Sequence, residues 1–167
     1  MDSATLDRIR EQFFGFPRPR QTVVHEPGPL DIYSDAHCMD CTWVSEALER
    51  HDCETILASE TPFFHKIALD CLNVEAFLHF FPALFKQSFG AEGHSISETM
   101  AWILGVDSDD WDADQSISLQ MASRMNDQQK ACMESYLLAV QERQELTPHY
   151  GTHLAAAIAF WSRQSDA

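Results

Sequence analysis

Positive charge is the scarcest commodity in this sequence. Eleven Lys and Arg face 26 Asp and Glu, for a formal net charge of −15 over 167 residues. A chain of that sign repels nucleic acid and anionic lipid, so neither is expected as a partner. Glycine is sparse, at six residues. No Gly-x-Ser-x-Gly elbow, phosphate-binding loop or dinucleotide fingerprint can be drawn through those six. No apolar run reaches membrane-spanning length. The opening MDSATLDRIREQ lacks the basic end and apolar stretch of a secretion signal, which predicts a cytoplasmic protein. Cysteines number five, an odd count that argues for reduced thiols over a disulfide framework.

What is present is a large apolar complement. Hydrophobic residues make up 45% of the chain, with eleven Phe and four Trp, enough for a real core without staples. The length predicts one domain over residues 1–167. Periodicity predicts an all-α or mostly α fold, a compact orthogonal helical bundle with a short two-stranded hairpin near residues 22–34. Helix one is expected over 3–14, with Leu6, Ile9, Phe13 and Phe14 on one side, ended by GFPRPR. A helix over 36–51 would turn Trp43, Ala47 and Leu48 inward. Thr61-Pro62 resembles a helix start leading into an apolar segment through Leu69. Asn73 is placed to cap a Phe-rich helix over 74–89, which Pro82 should kink. Ser95 with Glu98 has the spacing of a capping box for 96–104, stopped by Gly105. Asn126 with Gln129 has the spacing to cap 127–144, where Met133, Tyr136, Leu137 and Val140 form a stripe. Thr147-Pro148 opens a last helix over 148–163, with Tyr150, Leu154, Ile158 and Trp161 on one face.

The negative charge is concentrated. Residues 21–65 carry nine acids against Arg50, and residues 87–123 carry seven acids with no Lys or Arg at all. Within the second segment lies DSDDWDAD, residues 107–114. Its five aspartates invite three readings: a metal ion, a basic partner, or water alone. As a calcium loop it fails. With Asp110 first, Asp112 and Asp114 fall at ligand positions three and five, but Gln115 stands where the turn needs Gly and Met121 where a bidentate Glu is required. A basic partner fits better. Asp107, Asp109, Asp110, Asp112 and Asp114 would attract it, Trp111 would anchor it, and Glu92 and Glu98 would extend the face. The bland alternative folds Trp111 into the core and leaves the aspartates solvated.

A second cluster is His37-Cys38-Met39-Asp40-Cys41. His37, Cys38 and Cys41 could supply zinc ligands, with His51 or Cys53 near in sequence. A structural site needs four ligands, and no second Cys-x-x-Cys exists. A redox role lacks the strand–helix context it requires. The bland reading packs both cysteines on one buried helix face. Of the eight His, His149 and His153 are four apart and could share a ligand, but no metalloprotease spacing surrounds them. His79 is expected in the core among its Phe neighbours. Cofactors are not expected, zinc being the alternative.

LDRIREQFFGFPRP at 6–19 and LNVEAFLHFFPALFKQSF at 72–89 resemble an uncharacterised family of small bacterial helical proteins, a domain of unknown function. The family pattern runs Leu-Ser-Pro-Glu-Ala-Phe, then aromatics, then Pro-Ala. Glu75, Ala76, Phe77, Phe81, Pro82 and Ala83 match it, while Asn73-Val74 stands in place of Ser-Pro. The His37-Cys38-x-x-Cys41 stretch is similar to another recurrent part. The resemblance implies a compact helical bacterial protein and carries no activity. Physical profile points further, to immunity proteins: small, acidic inhibitors that bind a toxin. The leading expectation is therefore a non-enzymatic binding protein that neutralises a cognate cationic toxin such as a nuclease. The alternatives are a zinc-binding protein or enzyme built on Cys38/Cys41, and an acidic housekeeping protein with no dedicated partner.

Overall fold

The computed structural model describes residues 3–24, 39–60, 63–64, 67–90, 93–105, 117–143 and 146–165. Among them eight α-helices follow in order. They are α1 (Ser3–Phe13), α2 (Met39–Leu48), α3 (Cys53–Ala58), α4 (Val74–Ser88), α5 (His94–Leu104), α6 (Ile117–Arg124), α7 (Asp127–Arg143) and α8 (Pro148–Ser165). A 3-10 turn at Leu69–Cys71 precedes α4. The all-α expectation holds. Of the hairpin near 22–34, Val23 instead pairs with Leu72 in an isolated antiparallel bridge. Residues 25–34, like Thr61-Pro62, lie outside the described residues.

The centre of the fold is α4, and its sequence explains why. VEAFLHFFPALF is apolar except along the narrow stripe of Glu75 and His79, and a helix of that kind must be covered over most of its surface. It packs against α1, α3, α5 and α6. Phe77, Phe80, Phe81 and Phe85 are all within 1% of full burial. Phe81 and Phe85 meet the ring of Tyr136 from α7 at 5.7 and 5.5 Å between centroids. Asn73 caps the helix, its side-chain oxygen accepting from the Ala76 N–H at 2.8 Å. The same residue donates to the Gln21 carbonyl at 2.7 Å, tying the 21–24 strap to the start of α4.

Helix α7 starts with a reciprocal cap. The Asn126 and Gln129 side chains each accept from the other's backbone N–H at 2.9 Å. Gln129 also donates to the Gln12 carbonyl at 2.7 Å, which docks α7 on α1. The expected stripe of Met133, Tyr136, Leu137 and Val140 is buried. Helix α8 lies against both α7 and α5.

Four expectations need correction. The helix expected over 36–51 is shorter among the described residues. Asp52 caps a separate α3, its carboxylate accepting from the Thr55 N–H and hydroxyl, both at 2.7 Å. These bonds hold the Asp52 carboxyl below its ordinary range. Trp43 is 60% exposed, because α2 buries Cys41, Val44 and Leu48 and leaves Trp43 on the other side. Phe14, beyond the end of α1, is likewise exposed. Finally, Ser95 and Glu98 form no capping box. The cap of α5 is Gly93, two residues earlier, with no side-chain hydrogen bond. A Cβ at Gly93 would stand 2.1 Å from the Ser88 carbonyl oxygen, so only glycine lets α5 start this close to the end of α4.

Candidate binding cleft

The larger cleft, about 410 Å³, lies between α5, the start of α8 and residues 67–70. Its wall is Trp102, Tyr150 and His149, with Asp70 and Thr99 as the polar groups and Ile67, Ala68 and Leu69 behind. Helical geometry puts Trp102 there. Helix α5 buries Ile96, Met100, Ile103 and Leu104, so Thr99 and Trp102 fall on the opposite face. Trp102 is 45% exposed, and Asp70 is exposed with no ion pair among the described residues. The His149 ring meets those of Tyr150 and His153 edge-on at 5.2 and 4.6 Å.

The end of α5 next to this cleft is held firmly. Trp161, fully buried, donates its indole N–H to the Leu104 carbonyl at 3.2 Å. Ser118, from α6, donates to the Ile103 carbonyl at 3.2 Å. The Gly105 N–H returns to the carbonyls of Ala101 and Trp102. These bonds satisfy carbonyls that a helix end leaves open. They also bring the last turn of α5 and the first turn of α6 to one corner of the scaffold. DSDDWDAD begins two residues after Gly105 and ends three residues before Ile117. The helix ends that flank the acidic stretch in sequence thus meet at the corner that carries Trp102.

A smaller cleft, about 200 Å³, is lined by Arg10, Phe14, Asp52, Cys53, Glu54 and His79 among others. Cysteine and histidine together raise the question of nucleophilic catalysis. His79 is half-buried, and its Nδ1 lies 2.9 Å from the Phe16 carbonyl. A carbonyl only accepts, so Nδ1 carries the proton and Nε2 presents a lone pair. Nε2 is buried without a hydrogen-bond partner among the described residues. The thiol is the weak link. Burial pushes Cys53 up to about 11, although hydrogen bonding from the Ala83 backbone opposes the shift. A thiol held protonated at neutral pH is a poor nucleophile and a poor metal ligand. No three His, Cys, Asp or Glu side chains among the described residues are grouped to hold a metal ion.

Most residues singled out from the sequence cannot be placed. Asp107, Asp109, Asp110, Trp111, Asp112, Asp114, Glu92, His37 and Cys38 lie outside the described residues. Glu98 is described, and its side chain is only 16% exposed. One oxygen sits 3.2 Å from His94 Nε2 and accepts from the Thr147 N–H at 3.5 Å. Glu98 therefore ties α5 to the start of α8 rather than extending an open acidic face. Cys41 is buried at 0% exposure, as inward packing on a helix face requires. Trp102 and Asp70 were missed, although the 3.6-residue period carries a signal for Trp102. It falls outside the apolar stripe of its own helix.

Several basic side chains are engaged within the molecule. Arg18 donates to the carbonyls of Leu48 and Glu49 at 2.7 and 2.8 Å, closing the end of α2. Lys86 does the same for Leu57 at the end of α3. Arg10 pairs with Glu54, and Arg124 pairs with Glu75 at 2.9 Å. Arg143 lies over the Phe89 ring at 5.8 Å. No helix among the described residues is long and apolar enough to cross a membrane. Comparison with family models, with curated proteins and with solved structures finds no match.

Proposed function

We propose that this chain is a non-enzymatic acidic binding protein of the immunity type, which neutralises a cationic toxin such as a nuclease. The observation that carries the reading is an exposed tryptophan that a run of carboxylates follows closely in sequence. Trp102 stands one helical turn before the segment that holds five aspartates. An aromatic anchor beside dense negative charge is the composition of a hot spot for a basic surface. The absence of any Lys or Arg from residues 87–123 supports it too, since no base close in sequence offsets that potential. Asp107, Asp109, Asp110, Asp112 and Asp114 supply the attraction, with Trp111 as a second aromatic within the cluster. A toxin held this way is denied its own anionic substrate by charge competition.

Capture followed by neutralisation tests the reading. Purified protein is used to retrieve a basic protein from its source cells, and the retrieved protein is expressed with and without this chain. Cells should survive only with it. Replacing the five aspartates by lysine should slow association about ten-fold or more and flatten its dependence on salt. If the captured protein is harmless, or if charge reversal leaves its association rate untouched, the proposal fails.

A further inference from the structure

We infer that the Trp102 cleft seats a single guanidinium group, an arginine side chain of the cationic partner. The inference rests on the functional reading above and names where on the scaffold that partner is gripped. A guanidinium is planar and weakly hydrated, and it favours aromatic surfaces and carboxylates at once. The cleft offers both, with Trp102 and Tyr150 in the wall and Asp70 at hand. Thr99 gives its hydroxyl proton to the Ser95 carbonyl at 2.9 Å, so its oxygen keeps lone pairs for an incoming N–H donor. A neutral His149 ring nitrogen can accept as well.

Charge discriminates between the two clefts. Among the described residues no Lys or Arg lines the Trp102 cleft. The smaller one holds Arg10 already paired to Glu54, so an arriving cation would meet a like charge and a carboxylate already taken.

The probe is the capped tripeptide acetyl-Gly-Arg-Gly-amide, titrated into the full chain. The readout is the indole N–H resonance of Trp102, assigned by its loss in Trp102→Phe. The arginine peptide should shift that resonance saturably, and the peptide with citrulline, the uncharged isostere, should not. The lysine peptide should bind about three-fold more weakly, for want of stacking. Asp70→Asn should weaken binding about five-fold, as expected for a partly exposed ion pair. Trp102→Leu, which lacks the indole reporter and is followed, like Trp102→Phe, by isothermal titration calorimetry, should weaken it by a similar factor. Trp102→Phe keeps a ring and should retain most of the affinity, which guards against reading a folding defect as a binding defect. Equal binding of the citrulline peptide, or full affinity in both Asp70→Asn and Trp102→Leu, overturns the assignment. An unmoved Trp102 signal alongside intact toxin neutralisation overturns the cleft alone. A seated peptide with no toxin neutralised overturns the functional reading and leaves the cleft standing.

Discussion

Gly93→Ala probes how closely α5 abuts the central helix. A Cβ at this position would lie 2.1 Å from the Ser88 oxygen, 2.4 Å from the Ser88 carbonyl carbon and 2.5 Å from the Gln87 oxygen. An ordinary contact to carbon begins near 3.4 Å, so the two backbones must separate by more than about 1 Å. Neither side yields cheaply. Ser88 is fully buried, and the Gln87 side chain accepts from the N–H groups of Phe63 and Phe64 at 2.8 and 2.9 Å. Separation also breaks the Ser97 hydroxyl bond to the Ser88 carbonyl at 3.3 Å and loosens the layer of Phe85, Phe89 and Tyr136 behind it. Overpacking against rigid backbone costs about 3 kcal/mol, a large share of a domain's stability. That corresponds to a loss of about 10 °C in melting temperature for a chain of this size. Urea unfolding followed by far-UV circular dichroism measures it. Gly15→Ala is the control, since nothing lies within 4 Å of a Cβ there, and it should stay within about 0.5 kcal/mol of the parent. A Gly93→Ala protein as stable as Gly15→Ala would refute the close approach.

Gly151→Ala should act in the opposite sense. It sits inside α8 with nothing within 4 Å of a Cβ, so better helix propensity should add about 0.5–1 kcal/mol in the same urea assay. Asn73→Ala should cost about 1–2 kcal/mol, because it removes the α4 cap and the bond to Gln21 together; a change below about 0.3 kcal/mol would contradict that role. Alkaline pH should unfold the protein in two stages. Burial pushes Cys53 up to about 11 and Tyr136 up to about 12, while the unfolded chain gives up both protons sooner. Stability is therefore full below the unfolded values and is lost as pH rises, first between about 9 and 11 and then between about 10 and 12. Tyr136→Phe should flatten the second stage in a pH series of urea midpoints, and an unchanged slope above pH 10 would sink the assignment.

Local signals were readable in the sequence, and tertiary ones were not. Asn73, the Asn126–Gln129 pair and Thr147-Pro148 mark helix starts because a cap involves only residues two or three apart. The apolar periods of α4, α7 and α8 were readable for the same reason. Ser95 and Glu98 had equally good spacing and misled, because the start of α5 is set by the approach of Gly93 to the end of α4, and no local pattern encodes that approach. The break between α2 and α3 carried a usable sign, an Asp with a Thr three residues on, masked by continuous helical character on both sides. Trp43 and Phe14 were sent inward on the strength of being aromatic. Phase within the helix decides exposure, and Cys41, Val44 and Leu48 already fill the inner phase of α2. Trp102 obeys the same logic. The acidic stretch was conspicuous, but the cleft beside it depends on three segments distant in sequence.

The acidity of the chain also bears on why such a scaffold would exist. A soluble domain of this size is well served by a net charge of magnitude about 2–8 with both signs interspersed. This chain carries −15, and residues 87–123 contain no base. Folding sharpens the imbalance. Arg18 and Lys86 are drawn onto the carbonyl ends of α2 and α3, where they satisfy helix termini and lie against the chain's own backbone. The net charge leaves a surplus of carboxylates whose mutual repulsion works against the compact state. Solubility alone gives no reason to gather five of them in sequence between the two helices that meet near the open Trp102, at a corner held by Trp161 and Ser118. A basic surface docking at that corner would relieve the repulsion and cover the indole in one step. The features that burden the free molecule are those that favour the bound one, and this is the physical case for a partner rather than for water.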